Sequence, residues 1–85
     1  MNNLERDFEK AIEDIKKIFG ELKQNDVLQL YGLYKQSNFG KNTTPRPSIF
    51  NVIGLQKWKS WSNVASLSSV EAKTQYIDLV QRLTQ

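Results

Sequence analysis

The sequence predicts an all-α fold with four helices, and three observations carry that prediction. Apolar residues recur at steps of three and four in four separate stretches, no stretch carries a strand signal, and glycines or capping residues stand where the stretches end or begin. There are no internal repeats or low-complexity tracts. Eighty-five residues make one domain, residues 1–85, because a chain of this length builds a single core. With no cysteine there is no disulfide framework, so stability has to come from helix packing, for which nine aromatic residues supply material.

In the first stretch the apolar residues fall at Leu4, Phe8, Ala11, Ile15, Ile18 and Leu22, with Ile12 and Phe19 beside them, which is the pattern of an amphipathic helix. Gly20 is expected to close it by taking the left-handed conformation. Lys16, one turn after Ile12, stands at the border of the stripe, where a solvated flank lysine and a ligand contact are both open readings.

For the second helix Asn25 is the expected N-cap, and Asp26 suits the positive end of the helix dipole. Val27, Leu30, Tyr31, Leu33 and Tyr34 make a wide apolar arc, and Phe39-Gly40 marks the end. Lys35 projects between Tyr31 and Phe39, inside that arc, so its ammonium must either snorkel to water or meet an anion.

Residues 40–50 cannot be regular helix, because Pro45 and Pro47 force extended backbone on their predecessors. Ile49, Phe50 and Val52 are expected to tuck under this crossing segment. Gly40-Lys41 lacks the spacing of a phosphate loop, and Asn42-Thr43-Thr44, though it has the form of a glycosylation site, is read as an ordinary polar loop. A third helix is expected from Val52 or Ile53 to about Asn63, with Trp58 and Trp61, three apart, read as core. Ser68 and Glu71 have the form of a capping box, with Leu67 and Ala72 placed for a hydrophobic staple. The last helix then shows Ala72, Tyr76, Val80 and Leu83, widened by Ile77 and Leu79.

Charge is distributed less evenly than the net +3 suggests. Residues 27–70 contain no Asp or Glu, while Lys35, Lys41, Arg46, Lys57 and Lys59 give that segment +5. Residues 1–26 sum to −2, and residues 71–85 to zero. The middle of the chain is therefore where an anion would go. Histidine and cysteine are both absent, which removes zinc ligands, thiol nucleophiles and the usual neutral-pH acid/base residue. No metal or cofactor is expected. The first residues are polar and acidic rather than a signal peptide, and no stretch approaches the roughly 18 apolar residues of a membrane span, so the cytoplasm is the expected compartment.

The residues at the borders of the apolar stripes form a set: Lys16, Tyr31, Tyr34, Lys35, Lys57 and Tyr76. Aromatic rings stack a nucleobase, while lysines and phenols hold phosphates by charge-assisted hydrogen bonds. That combination suits one nucleotide-like molecule with several phosphates better than a polymer.

These residues lie in motifs that resemble the acyl-CoA-binding protein family, also called diazepam-binding inhibitor. The resemblance runs through Phe8 and Ala11, Tyr31-x-x-Tyr34-Lys35-Gln36, Gly40, Arg46-Pro47, Lys57-Trp58-x-x-Trp61 and Ala72-x-x-x-Tyr76-Ile77-Asp78. It implies an up-down-down-up four-helix bundle with a bowl-shaped site at its rim. It also implies that Tyr31, Lys35 and Lys57 hold the 3′-phosphate of coenzyme A, that Tyr34 stacks on the adenine, that Lys16 approaches the phosphates and that Tyr76 closes the far side. Gly32 and Leu33 fall within the same motif and are included among the ligand-binding residues; Ile12, Val27, Leu28 and Ile53 are the weaker acyl-chain candidates.

Two departures stand out. Val52-Ile53-Gly54-Leu55-Gln56 replaces a run that is basic in many relatives, which bears on affinity rather than identity, and Leu22 stands near the place of a common proline. The function implied is a monomeric, non-enzymatic carrier and pool former for medium- and long-chain fatty acyl-CoA, which passes its ligand to enzymes and membranes. Two rivals are an enzyme acting on acyl-CoA, for which a nucleophile beside a base is missing, and a protein- or nucleic-acid-interaction module using the same basic face. Nucleic acid is not expected as a partner, since nine of the twelve basic residues are lysines in no dense stripe.

Overall fold

The computed structural model describes residues 3–85, which form α1 (Asn3–Lys16), a short 3-10 turn (Phe19–Glu21), α2 (Gln24–Phe39), α3 (Val52–Ser62) and α4 (Ser69–Leu83). No strand occurs among the described residues. The principal packing pairs are α1 with α4, α2 with α4 and α2 with α3.

Side-chain register gives the directions. Glu5 pairs with Lys73 and Phe8 meets Tyr76 edge-on at 5.1 Å, so α1 and α4 run the same way. Ser69 Oγ donates to the Ser37 carbonyl at 2.8 Å while Tyr34 faces Tyr76 at 6.4 Å, which makes α2 antiparallel to α4. Gln24 Nε2 donates to Gln56 Oε1 at 2.8 Å, and Gly32 lies against Ser60, so α3 runs with α2. The topology is up-down-down-up.

The core joins Phe8, Ala11 and Ile15 of α1 with Leu30 and Leu33 of α2 and Tyr76, Leu79 and Val80 of α4. Each set follows the three- and four-residue steps of one helix face. Trp61 is buried but stands outside this cluster. Gly32 is where α2 and α3 come closest: a Cβ there would lie 2.5 Å from the Ser60 carbonyl oxygen, so glycine lets the two backbones touch.

The capping box of α4 is complete, with Ser68 Oγ accepting from the Glu71 amide at 3.0 Å and Glu71 Oε1 accepting from the Ser68 amide at 2.9 Å. Gly40 closes α2 with φ 75° and donates its amide to the Gln36 carbonyl. Several expectations need correction. The first helix stops at Lys16, and Ile18 and Leu22 reach the core from the turn that follows. Gly20 does not take the left-handed conformation; among the described residues only Gly40 has a positive φ. Asn25 is not the N-cap of α2, which begins at Gln24 after Lys23 with no side-chain cap. Ile49, Phe50 and Val52 are not tucked under the crossing segment but stand exposed.

Trp58 also differs from the core role expected of it, being half-buried with its ring against the loop. Its Nε1 donates to the Thr44 carbonyl at 2.9 Å, and Trp61 Nε1 donates to the Gly40 carbonyl at 2.8 Å, so the two indoles hold the crossing segment against α3. Asn42 adds a third tie. Its Nδ2 donates to the Trp58 carbonyl and to Ser62 Oγ, while its Oδ1 accepts from Thr44.

Candidate functional site

Between α2, α3, α4 and the 3-10 turn lies a cleft of about 320 Å³ lined by Phe19, Val27, Leu28, Leu30, Tyr31, Tyr34, Lys57 and Tyr76. The helix period explains the α2 contribution: Val27, Tyr31 and Tyr34 are four and three apart, so one face carries all three. A second depression of about 220 Å³ sits on the other side of Tyr31, between α2 and the crossing segment, lined by Tyr31, Lys35, Thr44, Pro45, Pro47, Gly54, Trp58 and Trp61. Tyr31 is the wall common to both.

Two ammonium groups converge on that wall. Lys57 Nζ lies 5.4 Å and Lys35 Nζ 5.9 Å from the centroid of the Tyr31 ring. Lys35 Nζ also stands over Trp61 at 5.0 Å and Phe39 at 4.5 Å. The lysine inside the apolar arc is therefore held among three aromatic faces, a position favourable to a cation and open to an incoming anion. Residues 27–70, on either side of it, contain no carboxylate side chain to compete for that charge.

The aromatic floor is built from Phe8, Tyr34 and Tyr76. Phe8 and Tyr34 stack at 6.3 Å between centroids, Tyr34 and Tyr76 meet tilted at 6.4 Å, and the Tyr34 ring is 40% exposed. Burial pushes the Tyr76 phenol up to about 12, with a smaller contribution from Tyr34. At neutral pH it stays protonated and can donate a hydrogen bond from the floor of the cleft.

The remaining expected residues divide. Lys16 is exposed at the end of α1, where its Nζ donates to Glu13 at 2.9 Å; this pairing raises its pKa, with Tyr34 a smaller cause in the same direction. Lys16 is thus near the Tyr34 edge of the site but does not line the cleft. Ile12 is half-buried and packs against the core. Ile53 is 55% exposed on the first turn of α3 and lies outside the cleft. Gly32 and Leu33 face inward, Gly32 onto the α3 backbone and Leu33 into the core, because they sit on the opposite side of α2 from Tyr31 and Tyr34.

Phe19 and Leu30 are lining residues that sequence reasoning did not assign to the site. Leu30 follows Val27 by three and shares its face, so helical spacing carried that signal. Phe19 had none, since it enters from a 3-10 turn taken for the end of a helix. Gln36, a motif residue, serves the packing instead. Its Nε2 donates to the Leu67 carbonyl at 2.8 Å, fixing the link between α3 and α4.

The fold agrees with that of known proteins. A sequence model of the family described as Acyl CoA binding protein matches residues 5–80. The chain is 41% identical over 80 residues to "Acyl-CoA-binding protein" from Brassica napus, covering 94% of this chain and 87% of that one. It is 34% identical over 84 residues to "Enoyl-CoA delta isomerase 2" from Rattus norvegicus, a match that takes in 99% of this chain but 22% of that enzyme. Among solved structures, the crystal structure of Oryza sativa Acyl-CoA-Binding Protein 2 superposes with a TM-score of 0.92 at 41% identity, covering 95% of this chain and 88% of the other. The family match over most of the chain and the close superposition on a relative's fold together show that the chain belongs to the acyl-CoA-binding protein family.

Proposed function

We propose that the protein binds medium- and long-chain fatty acyl-CoA esters without transforming them, and serves in the cytoplasm as a monomeric carrier and pool former that passes them to enzymes and membranes. The observation that carries this reading is the pairing of Lys35 and Lys57 over the Tyr31 ring at the edge of an apolar cleft. Charge-assisted bonds there suit the phosphates of the head group, in particular the 3′-phosphate, while the exposed Tyr34 ring suits the adenine. Val27, Leu28, Leu30 and Phe19 offer apolar wall to the chain, at about 0.8 kcal/mol per buried methylene. More than a dozen carbons would offset much of the ordering cost. Lys16 is an outer contact in this scheme, Ile12 and Ile53 are marginal ones, and Gly32 and Leu33 act through the packing of α2.

Titration calorimetry with palmitoyl-CoA, coenzyme A and palmitate tests the reading. The ester is expected to bind tightly, coenzyme A weakly and the free acid hardly at all. Equal affinity for palmitate and palmitoyl-CoA overturns it, as does preferential binding of RNA. Hydrolysis of the thioester by purified protein would show an enzyme instead of a carrier.

A further inference from the structure

The exposed segment that opens α3 has features that the cleft does not explain. Ile49, Phe50, Val52 and Ile53 are 69%, 89%, 59% and 55% exposed, four large apolar side chains within five residues. They stand on a built turn rather than a frayed loop. The Phe50 amide donates to Ser48 Oγ at 3.1 Å, the Asn51 amide to the Ser48 carbonyl at 3.0 Å, and Asn51 Oδ1 caps α3 by accepting from the Gly54 amide at 3.0 Å. Ser48 and Asn51 thus fix a projecting corner with Ile49 and Phe50 at its tip. Soluble monomers seldom leave contiguous apolar side chains in water without a partner.

The surrounding charges say which partner. Arg46 precedes the corner, Lys57 and Lys59 follow it one and two turns along α3, Lys41 lies earlier in the crossing segment, and no acid interrupts residues 27–70. Burying the tip against a second copy of the chain would bring two basic rims together. A projecting apolar wedge in a stretch of chain whose charged side chains are all basic instead fits an anionic bilayer, where apolar side chains enter the boundary below the headgroups and lysine and arginine stay among the phosphates and carboxylates. We infer that the corner at residues 49–53 docks the protein on anionic phospholipid surfaces. The inference rests on the carrier reading above and names the contact through which exchange with membranes occurs. Ile53 lies one turn before Lys57 on α3, so the docked corner adjoins the rim of the cleft.

The test floats ligand-free protein with vesicles of phosphatidylcholine alone and of phosphatidylcholine mixed with phosphatidylserine, at low and high salt. The protein is expected on the phosphatidylserine vesicles, less so as salt rises. Ile49→Ser with Phe50→Ser, neither of which lines the cleft, is expected to reduce the bound fraction at least about tenfold. That variant should keep the wild-type melting temperature and palmitoyl-CoA titration. Lys41→Gln with Arg46→Gln is expected to lessen the preference for phosphatidylserine. Wild-type protein that stays off these vesicles, or a serine variant that binds them as well as wild type, overturns the inference. So does self-association in sedimentation that the serine variant abolishes. Should wild-type protein float with phosphatidylserine yet fail to bind palmitoyl-CoA, the carrier reading falls and the docking surface stands.

Discussion

The ammonium nitrogen of Lys35 lies 4.5 Å from the centroid of the Phe39 ring, one helical turn further along α2. Phe39 is 65% exposed and contributes little to the core, so the contact serves the lysine more than the fold. A cation held over an aromatic face at an exposed site gains about 0.5–1 kcal/mol. Part of the rotamer freedom that a phosphate would have to freeze is already gone. Phe39→Ala is therefore expected to weaken palmitoyl-CoA binding about two- to fivefold without lowering the melting temperature. In a Lys35→Ala background the same change should do nothing further, and calorimetry on the four proteins of that cycle measures the coupling.

The two lysines themselves should weigh more. Hydrogen bonds to charged groups contribute about 1.5–3 kcal/mol, so Lys35→Ala or Lys57→Ala is expected to weaken binding roughly ten- to hundredfold. The dephospho ester, which lacks the 3′-phosphate, separates the specific role from general attraction. A Lys35→Ala loss as large with the dephospho ligand as with the complete one would remove the 3′-phosphate assignment.

Gly32→Ala probes the approach of α2 to α3. The added Cβ would meet the Ser60 carbonyl oxygen at 2.5 Å and its carbon at 2.8 Å, backbone atoms that cannot swing aside. A loss of about 1–3 kcal/mol is expected, seen as a lower urea midpoint. Affinity should fall with it, since Lys57 rides on the displaced helix.

The capping box of α4 makes a pH prediction. Hydrogen bonds from the Ser68 amide, and second from its side chain, hold the Glu71 carboxyl below its ordinary pKa. The unfolded chain therefore binds this proton more readily than the folded one. The contribution is complete above the ordinary glutamate range and is lost as pH falls through that range to the lower folded value. Glu71→Gln keeps a side chain able to accept in the box, so thermal melts of this variant should depend less on pH in the acid range than those of the wild type.

The family resemblance leads one to expect basic side chains at Ile53 and Leu55. Ile53 is exposed and Leu55 half-buried, so Ile53 is no core residue, and Ile53→Lys should change stability by no more than about 0.5 kcal/mol. Adding Leu55→Lys should tighten acyl-CoA binding at low salt, and the gain should shrink as salt is added. A sharp drop in melting temperature with no salt-dependent gain would show that Leu55 is needed for packing.

Much of this was legible in the residues alone. The Gly40 stop, the α3 boundaries and the Ser68 box were readable because each depends on a few neighbouring residues whose chemistry allows one local geometry. Periodicity marked Tyr31, Tyr34 and Lys57 as edge residues, but their convergence on one cleft came only from the family resemblance, because a stripe places a residue on its own helix and not one helix against another. Tyr76 was read as an edge residue too and is buried in the core instead. The end of α1 was not, since Ile18 and Leu22 keep the helical spacing while reaching the core from a turn, so periodicity cannot separate the two. The start of α2 was missed because an extended Lys23 precedes it with no side-chain cap to give a signal. Ile49 and Phe50 were misplaced by assuming that apolar side chains find cover, which depends on neighbours that the local sequence does not reveal.

The core joins α1, α2 and α4, whereas α3 is attached chiefly along one side of α2 and through Trp61, Trp58 and Asn42 to the crossing segment. A helix held in that way can open while the other three stay together. Its amides should exchange with solvent deuterium faster than those of α1 or α4. Lys57 travels with α3 and Lys35 does not, so an anion gripped by both would close the seam between them. Deuterium uptake across residues 52–62 would then report occupancy of the site from a helix that carries only one of its two charged contacts.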